Sequence, residues 1–169
     1  MYTKEQFAKM IDHTLLRPNA TRDDVMRVVE EAAVRHFASV CLFPCWVGTA
    51  SRALANTDVK VCSVVSFPFG ADSRSAKNFA VRNAIANGAK EIDAVMNISR
   101  FKSGDQEGTA RDLAEMVDAV RSSGSNGFTG ESRRVLMKII IETCYLSDAE
   151  KEVASRMVRD AGADFVKTS

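Results

Sequence analysis

Lys167 follows Phe165 and Val166 and precedes Thr168, so its ammonium is expected to rise from an apolar floor. Desolvation and a neighbouring cation both lower a lysine's pKa, and a neutral amine attacks carbonyl carbons. Lys138, inside the apolar run VLMKIII, is the second cation expected on the adjacent strand. Asp93 lies in EIDAVMN. Period-two alternation there puts Asp93, Val95 and Asn97 on one face, and Ile92, Ala94 and Met96 on the other. A carboxylate facing a lysine can hold and move protons, as carbon–carbon chemistry requires. Plainer readings stand beside these: a strand-end lysine reaching solvent, and an aspartate serving as a structural ion-pair partner.

Other polar residues punctuate apolar runs in the same way. Asp12, Cys41, Ser66, Asn97 and Glu142 are each expected near the carboxyl end of a strand, where parallel α/β folds place their chemistry. A buried charge is costly unless paired, so six strands each carrying a polar or ionisable residue are expected to converge on a site. A helix cap would explain Asp12 equally well, and a solvated carboxylate Glu142. Cys41 reads first as a small buried hydrophobe. No CxxC or HxxxH pair occurs among the four cysteines and two histidines, so no metal site is expected. The stretch GADSRS is too loose to mark an anion site.

These residues need elements to hold them. Thr21 with Asp23 and Asp24 marks a helix start, followed by Val25, Val28, Val29 and Ala32 on one face. Strands are expected at 37–43, 59–67, 91–98, 135–141 and 163–169, and a weaker one at 10–16. Helices are expected at 45–55, 75–87, 106–121 and 147–160, with Gly88 as a C-terminal cap and 122–130 as a flexible loop. The helix charges Arg111, Asp112 and Glu115 read as a solvated face, and Trp46 and the nine phenylalanines as core. Apolar strands alternating with helices argue for a parallel sheet covered by helices. A (βα)8 barrel takes about 200 to 250 residues, so six such units fall roughly two short.

Composition narrows the function. The 169 residues carry 23 Lys+Arg against 22 Asp+Glu, a net charge of +1, which argues against a strongly basic nucleic-acid binder. No apolar run approaches the roughly 18 to 20 residues of a membrane span, and MYTKEQFAKM lacks a signal-peptide core. A cytoplasmic setting with reduced thiols is the expectation.

Six motifs then run in register: IDHTLL, ASVCLFP, SVVSFPFG, KEIDAVMN, KIIIET and AGADFVKTS. Together, over nearly the whole chain, they resemble the deoxyribose-phosphate aldolase family, class I aldolases on a (βα)8 TIM barrel. The resemblance implies reversible, cofactor-free and metal-free cleavage of 2-deoxy-D-ribose 5-phosphate to D-glyceraldehyde 3-phosphate and acetaldehyde, in deoxyribose phosphate catabolism. It implies Lys167 as the Schiff-base nucleophile and Asp93 as the proton relay. Asp12 and Lys138 would support them, and Cys41 and Thr168 would line the substrate pocket. The expected partners are a small sugar phosphate and an aldehyde, with no nucleic acid or membrane, and a homo-oligomer such as a dimer.

In that family KTS continues into a glycine-bearing loop and two further strands, with a second active-site lysine and phosphate-binding turns. The chain is therefore expected to be a single barrel domain over 1–169, truncated at its C-terminal end, and inactive or nearly so in isolation. Two alternatives remain open: a sugar-phosphate isomerase or lyase that uses a carboxylate base, and a non-catalytic barrel fragment kept for assembly.

Overall fold

A computed structural model describes residues 2–124 and 134–168. Six strands form one parallel sheet in sequence order: β1 (Asp12–Leu15), β2 (Ser39–Leu42), β3 (Lys60–Val65), β4 (Glu91–Val95), β5 (Leu136–Ile140) and β6 (Phe165–Lys167). Helices α1 (Lys4–Ala8), α2 (Arg22–Arg35), α3 (Val47–Ala53), α4 (Arg74–Ala86), α5 (Ile98–Lys102), α6 (Gln106–Gly124) and α7 (Asp148–Asp160) precede or link them. This is the architecture expected of the first six units of a (βα)8 barrel.

Local chemistry sets the helix starts. Thr21 and Ser147 each form a capping box, with Asp24 and Glu150 respectively, and Ser73 caps α4 by accepting from the Ala76 amide. The face of α2 that is buried is the expected one, Val25, Val28, Val29 and Ala32. Two five-residue helices, α1 and α5, were not expected. The second forms because Asn97 Oδ1 accepts from the Arg100 amide at 3.0 Å, which turns the chain out of β4. The expected loop at 122–130 begins later than its serines suggest, since α6 runs on through Gly124. The rest of that loop, 125–130, lies outside the described residues.

Strand alternation separates two apolar layers. Val40, Leu42, Val61, Val65, Ile92, Ala94, Met137 and Ile139 join the main core beneath the helices. Cys41, Cys62 and Val64 form a smaller cluster on the opposite face, with Leu16, Phe43 and Phe67 packed against it. Not every phenylalanine belongs to a core: Phe7, Phe69, Phe79 and Phe165 are exposed. At the end of β3, Gly70 has φ +66° and a Cβ there would lie 1.8 Å from the Met96 carbonyl oxygen, so that turn requires glycine.

The sheet is strongly curved. Flat, β1 and β5 would lie about 19 Å apart, four spacings of roughly 4.8 Å. Instead Lys138 Nζ on β5 sits 2.7 Å from Asp12 Oδ2 on β1.

Candidate active site

The inner face of the curved sheet carries a cluster of charge. Lys138 lies in the middle of β5 and is 7% exposed. Its ammonium reaches Asp12 Oδ2 at 2.7 Å, Glu91 Oε2 at 2.7 Å and Asp93 Oδ1 at 3.2 Å. Lys167, the last residue of β6, donates to Asp93 Oδ2 and lies 4.0 Å from Asp12 Oδ2. Asp12 also accepts from Ser39 Oγ at 2.7 Å. Lys60 joins from the rim, 3.2 Å from Glu91 Oε1.

Asp12, Asp93, Lys138 and Lys167 thus meet as expected, and Cys41 Sγ lies 4.0 Å from Asp93 Oδ2. Where they meet differs from the strand-end expectation. Asp12 opens β1, Asp93 and Lys138 are central in β4 and β5, and only Lys167 ends its strand. Strands of a barrel wall tilt against its axis, which brings the start of one strand level with the middle of another and the end of a third. Ser66, Asn97 and Glu142 stay local. Ser66 Oγ accepts from the Asp72 amide, Asn97 caps α5, and Glu142 accepts from Cys144. Thr168 is exposed just beyond β6. His13 turns away from Asp12 and contacts Glu31 and Phe37.

The proton balance of Lys167 also departs from the expectation. Burial works to lower its pKa and Lys138 adds to that. The hydrogen bond and charge of Asp93, with Cys41 behind it, outweigh both, and the ammonium is held above its ordinary value. Lys138 is held higher still. Burial disfavours its charge, but the Cys62 sulfur, Asp93 and hydrogen bonds to Asp12 and Glu91 override the penalty. Burial raises the Asp12 carboxyl, yet its bonds to Lys138 and Ser39 leave it lowered overall. Desolvation, with Cys41 and Asp93 beside it, pushes the Cys62 thiol well above its usual range.

Sequence reasoning missed Glu91, Ser39 and Cys62. Glu91 had a signal, because it shares the inward face of β4 with Asp93 by strict alternation. Ser39 and Cys62 had none along the chain, since only the register Asp12↔Ser39 and Cys41↔Cys62 places them there. Asp112 was misjudged. It is 1% exposed and pairs with buried Lys77 at 2.6 Å between α4 and α6, rather than facing solvent.

Residues 7–169 match the family described as DeoC/LacD family aldolase. The chain is 48% identical over 162 residues to the deoxyribose-phosphate aldolase of Thermoanaerobacter pseudethanolicus, covering 96% of this chain and 69% of that one. It is 49% identical to the enzyme of the same name from Caldanaerobacter subterraneus subsp. tengcongensis, over 96% of this chain and 66% of that one. Among solved structures, the deoxyribose phosphate aldolase from Aeropyrum pernix, described as a unique tetramer, superposes with a TM-score of 0.85 at 31% identity. The match covers 99% of this chain and 65% of that chain. An aldolase named QR15 superposes with a TM-score of 0.84 at 31% identity, over 96% of this chain and 67% of that one. The chain thus spans about two thirds of the length of these relatives.

Proposed function

The chain belongs to the DeoC/LacD aldolase family, and on that premise we propose that it is a class I aldolase domain acting on 2-deoxy-D-ribose 5-phosphate through an imine on Lys167. The observation that carries this reading is the Lys167–Asp93 contact, made inside a buried network that Lys138 ties together. Only Lys167 among the three is partly open, with a side chain 31% exposed, so an aldehyde can reach it while its partners stay dry.

At rest Lys167 is an ammonium whose proton lies against Asp93. An incoming aldehyde needs the neutral amine, and Asp93 is placed to accept the proton as the carbonyl arrives. The amine adds to the carbonyl carbon. Loss of water leaves a protonated imine, which draws the electron pair of the bond between the second and third sugar carbons. The hydroxyl on the third carbon gives up its proton and becomes the aldehyde of the three-carbon phosphate. The two-carbon enamine is then protonated at carbon, and hydrolysis returns acetaldehyde and Lys167. Asp93 serves as the proton store for these transfers. Asp12 and Lys138 fix its position, because Lys138 bridges both carboxylates and stays charged throughout. Cys41, beside Asp93, lines the pocket wall, and Thr168 lies just past the nucleophile.

The same reading makes residues 1–169 part of a single barrel domain that works in the cytoplasm and assembles with copies of itself. Among the described residues no helix is long and apolar enough to cross a membrane.

Reduction with borohydride in the presence of acetaldehyde tests the imine directly. Peptide mapping is expected to find an ethyl group on Lys167, and Lys167→Met is expected to lose it. An adduct only in a chain extended by a relative's remaining strands would place those strands inside the active site, and no adduct in either folded protein would sink the Schiff-base reading in favour of a carboxylate-base isomerase or lyase.

A further inference from the structure

On the inner face, Cys41, Cys62 and Asp93 each present one donor atom, and these atoms all lie within 4.8 Å of one another. The three residues come from β2, β3 and β4, and each is at most 1% exposed. We propose that they form a binding site for a soft, thiophilic dication of the zinc or cadmium type, beside the Lys167 amine. This goes beyond the aldolase reading and does not rest on it.

Three observations distinguish the cluster from a chance meeting of thiols. Cys41 and Cys62 are register partners on neighbouring parallel strands, so the backbone already holds the two sulfurs as a pair. Asp93 Oδ1 is buried and, among the described residues, takes no hydrogen bond; its contact is the 3.2 Å ion pair with Lys138. Lys138 Nζ stands 4.0 Å from Cys62 Sγ, a cation to partner that sulfur once a metal has displaced its proton, the part an outer-shell group plays at metal sites.

Geometry and charge both allow the ion. Zinc takes sulfur at about 2.3 Å and carboxylate oxygen at about 2.0–2.2 Å in tetrahedral sites. Neighbouring donors then sit roughly 3.5–3.8 Å apart, so the cluster needs to contract by about 1.3 Å at most. Thiolate donors select soft metals over calcium or magnesium. Nearby ammoniums would repel an added charge, but binding here exchanges two thiol protons for one dication, and the net charge of the cluster is unchanged. Lys167, which bonds Asp93, has a side chain 31% exposed, so solvent reaches the edge of the cluster there. A bound ion would compete with Lys167 for Asp93, so it should act as an inhibitor.

The chain carries two further thiols, Cys45 and Cys144, both exposed, and these are first replaced by serine. Cadmium is then titrated without reductant, following the cadmium–thiolate charge-transfer absorbance and the ions retained after dialysis. The expected result is one cadmium per chain with the absorbance of two thiolates, lost on adding Cys62→Ser. Acetaldehyde trapping at Lys167 should fall to background as the site fills. No absorbance, absorbance that persists in Cys41→Ser/Cys62→Ser, or trapping unaffected by bound cadmium would each overturn the proposal. If Cys62→Ser fails to fold, cadmium NMR of the parent protein decides: a shift typical of two sulfur donors supports the site, and an all-oxygen shift overturns it. Cadmium binding with no acetaldehyde adduct, in this chain or in one extended by a relative's remaining strands, would leave this site standing while removing the aldolase reading.

Discussion

Two groups of buried charge lie on opposite sides of the sheet, and they are built differently. On the outer side Lys77 and Asp112, 0% and 1% exposed at their side chains, close on each other at 2.6 Å, and Lys77 also donates to the Val95 carbonyl at 3.0 Å. That pair is closed off between α4 and α6 and has no opening to solvent, although Asp112 Oδ1, like Asp93 Oδ1, takes no hydrogen bond among the described residues. On the inner side Asp12, Glu91 and Asp93 share Lys138 and Lys167, and one lysine is partly open. Burial of a charge therefore does not mark a functional site. Shared partners and a route for a ligand do, because a group in several contacts can exchange one of them during a reaction.

Breaking the sealed pair should give the largest effect on stability. Asp112→Ala leaves the Lys77 ammonium buried without its counter-charge, and is expected to cost about 3–5 kcal/mol in urea unfolding. Replacing both residues, Lys77→Met with Asp112→Leu, should recover most of that loss, since a buried pair rarely outperforms packed apolar groups. In either case the folded protein should still trap acetaldehyde at Lys167. Loss of trapping in the well-folded double variant would mean that the two sides of the sheet are coupled.

On the inner side, Asp93→Asn removes what holds the Lys167 proton, while burial continues to disfavour the ammonium. The midpoint of the rise in trapping rate with pH should move to lower pH, and an unmoved midpoint would show that another group sets it. The sign for stability follows from the same shift. The raised Lys167 pKa contributes stability that is fully present below the unfolded lysine value of about 10.4. That contribution is lost as pH rises through the folded value. The wild-type protein should lose it in alkali, and Asp93→Asn should lack it.

The smallest effect belongs to a pair of neither kind. Arg111 and Glu107 meet one turn apart on α6 with side chains 56% and 86% exposed, where water screens the attraction. Glu107→Gln should leave the urea midpoint unchanged within error. A measurable loss would show that exposed helix pairs matter here as the buried ones do.

Much of this was legible along the chain. Caps at Thr21, Ser73 and Ser147 and the buried face of α2 follow from local hydrogen bonding and helical period, which need no knowledge of the rest of the molecule. The same holds for the inward face of β4, where alternation alone puts Asp93 opposite the core residues Ile92 and Ala94. Helices α1 and α5 were harder to see, because five-residue segments have too few positions to show a period.

Strand positions, helix starts and the residue types of a lysine–carboxylate site are written in local pattern, since each depends on neighbours a few positions away. The meeting of Asp12 with Lys138, 126 positions later, is not. Nor is the pairing of Cys41 with Cys62, the burial of Asp112, or the direction in which Lys167 holds its proton. Those depend on the curvature and tilt of the sheet and on which charge ends up nearest. Electrostatic energy follows distance through space, and only the folded chain sets that distance.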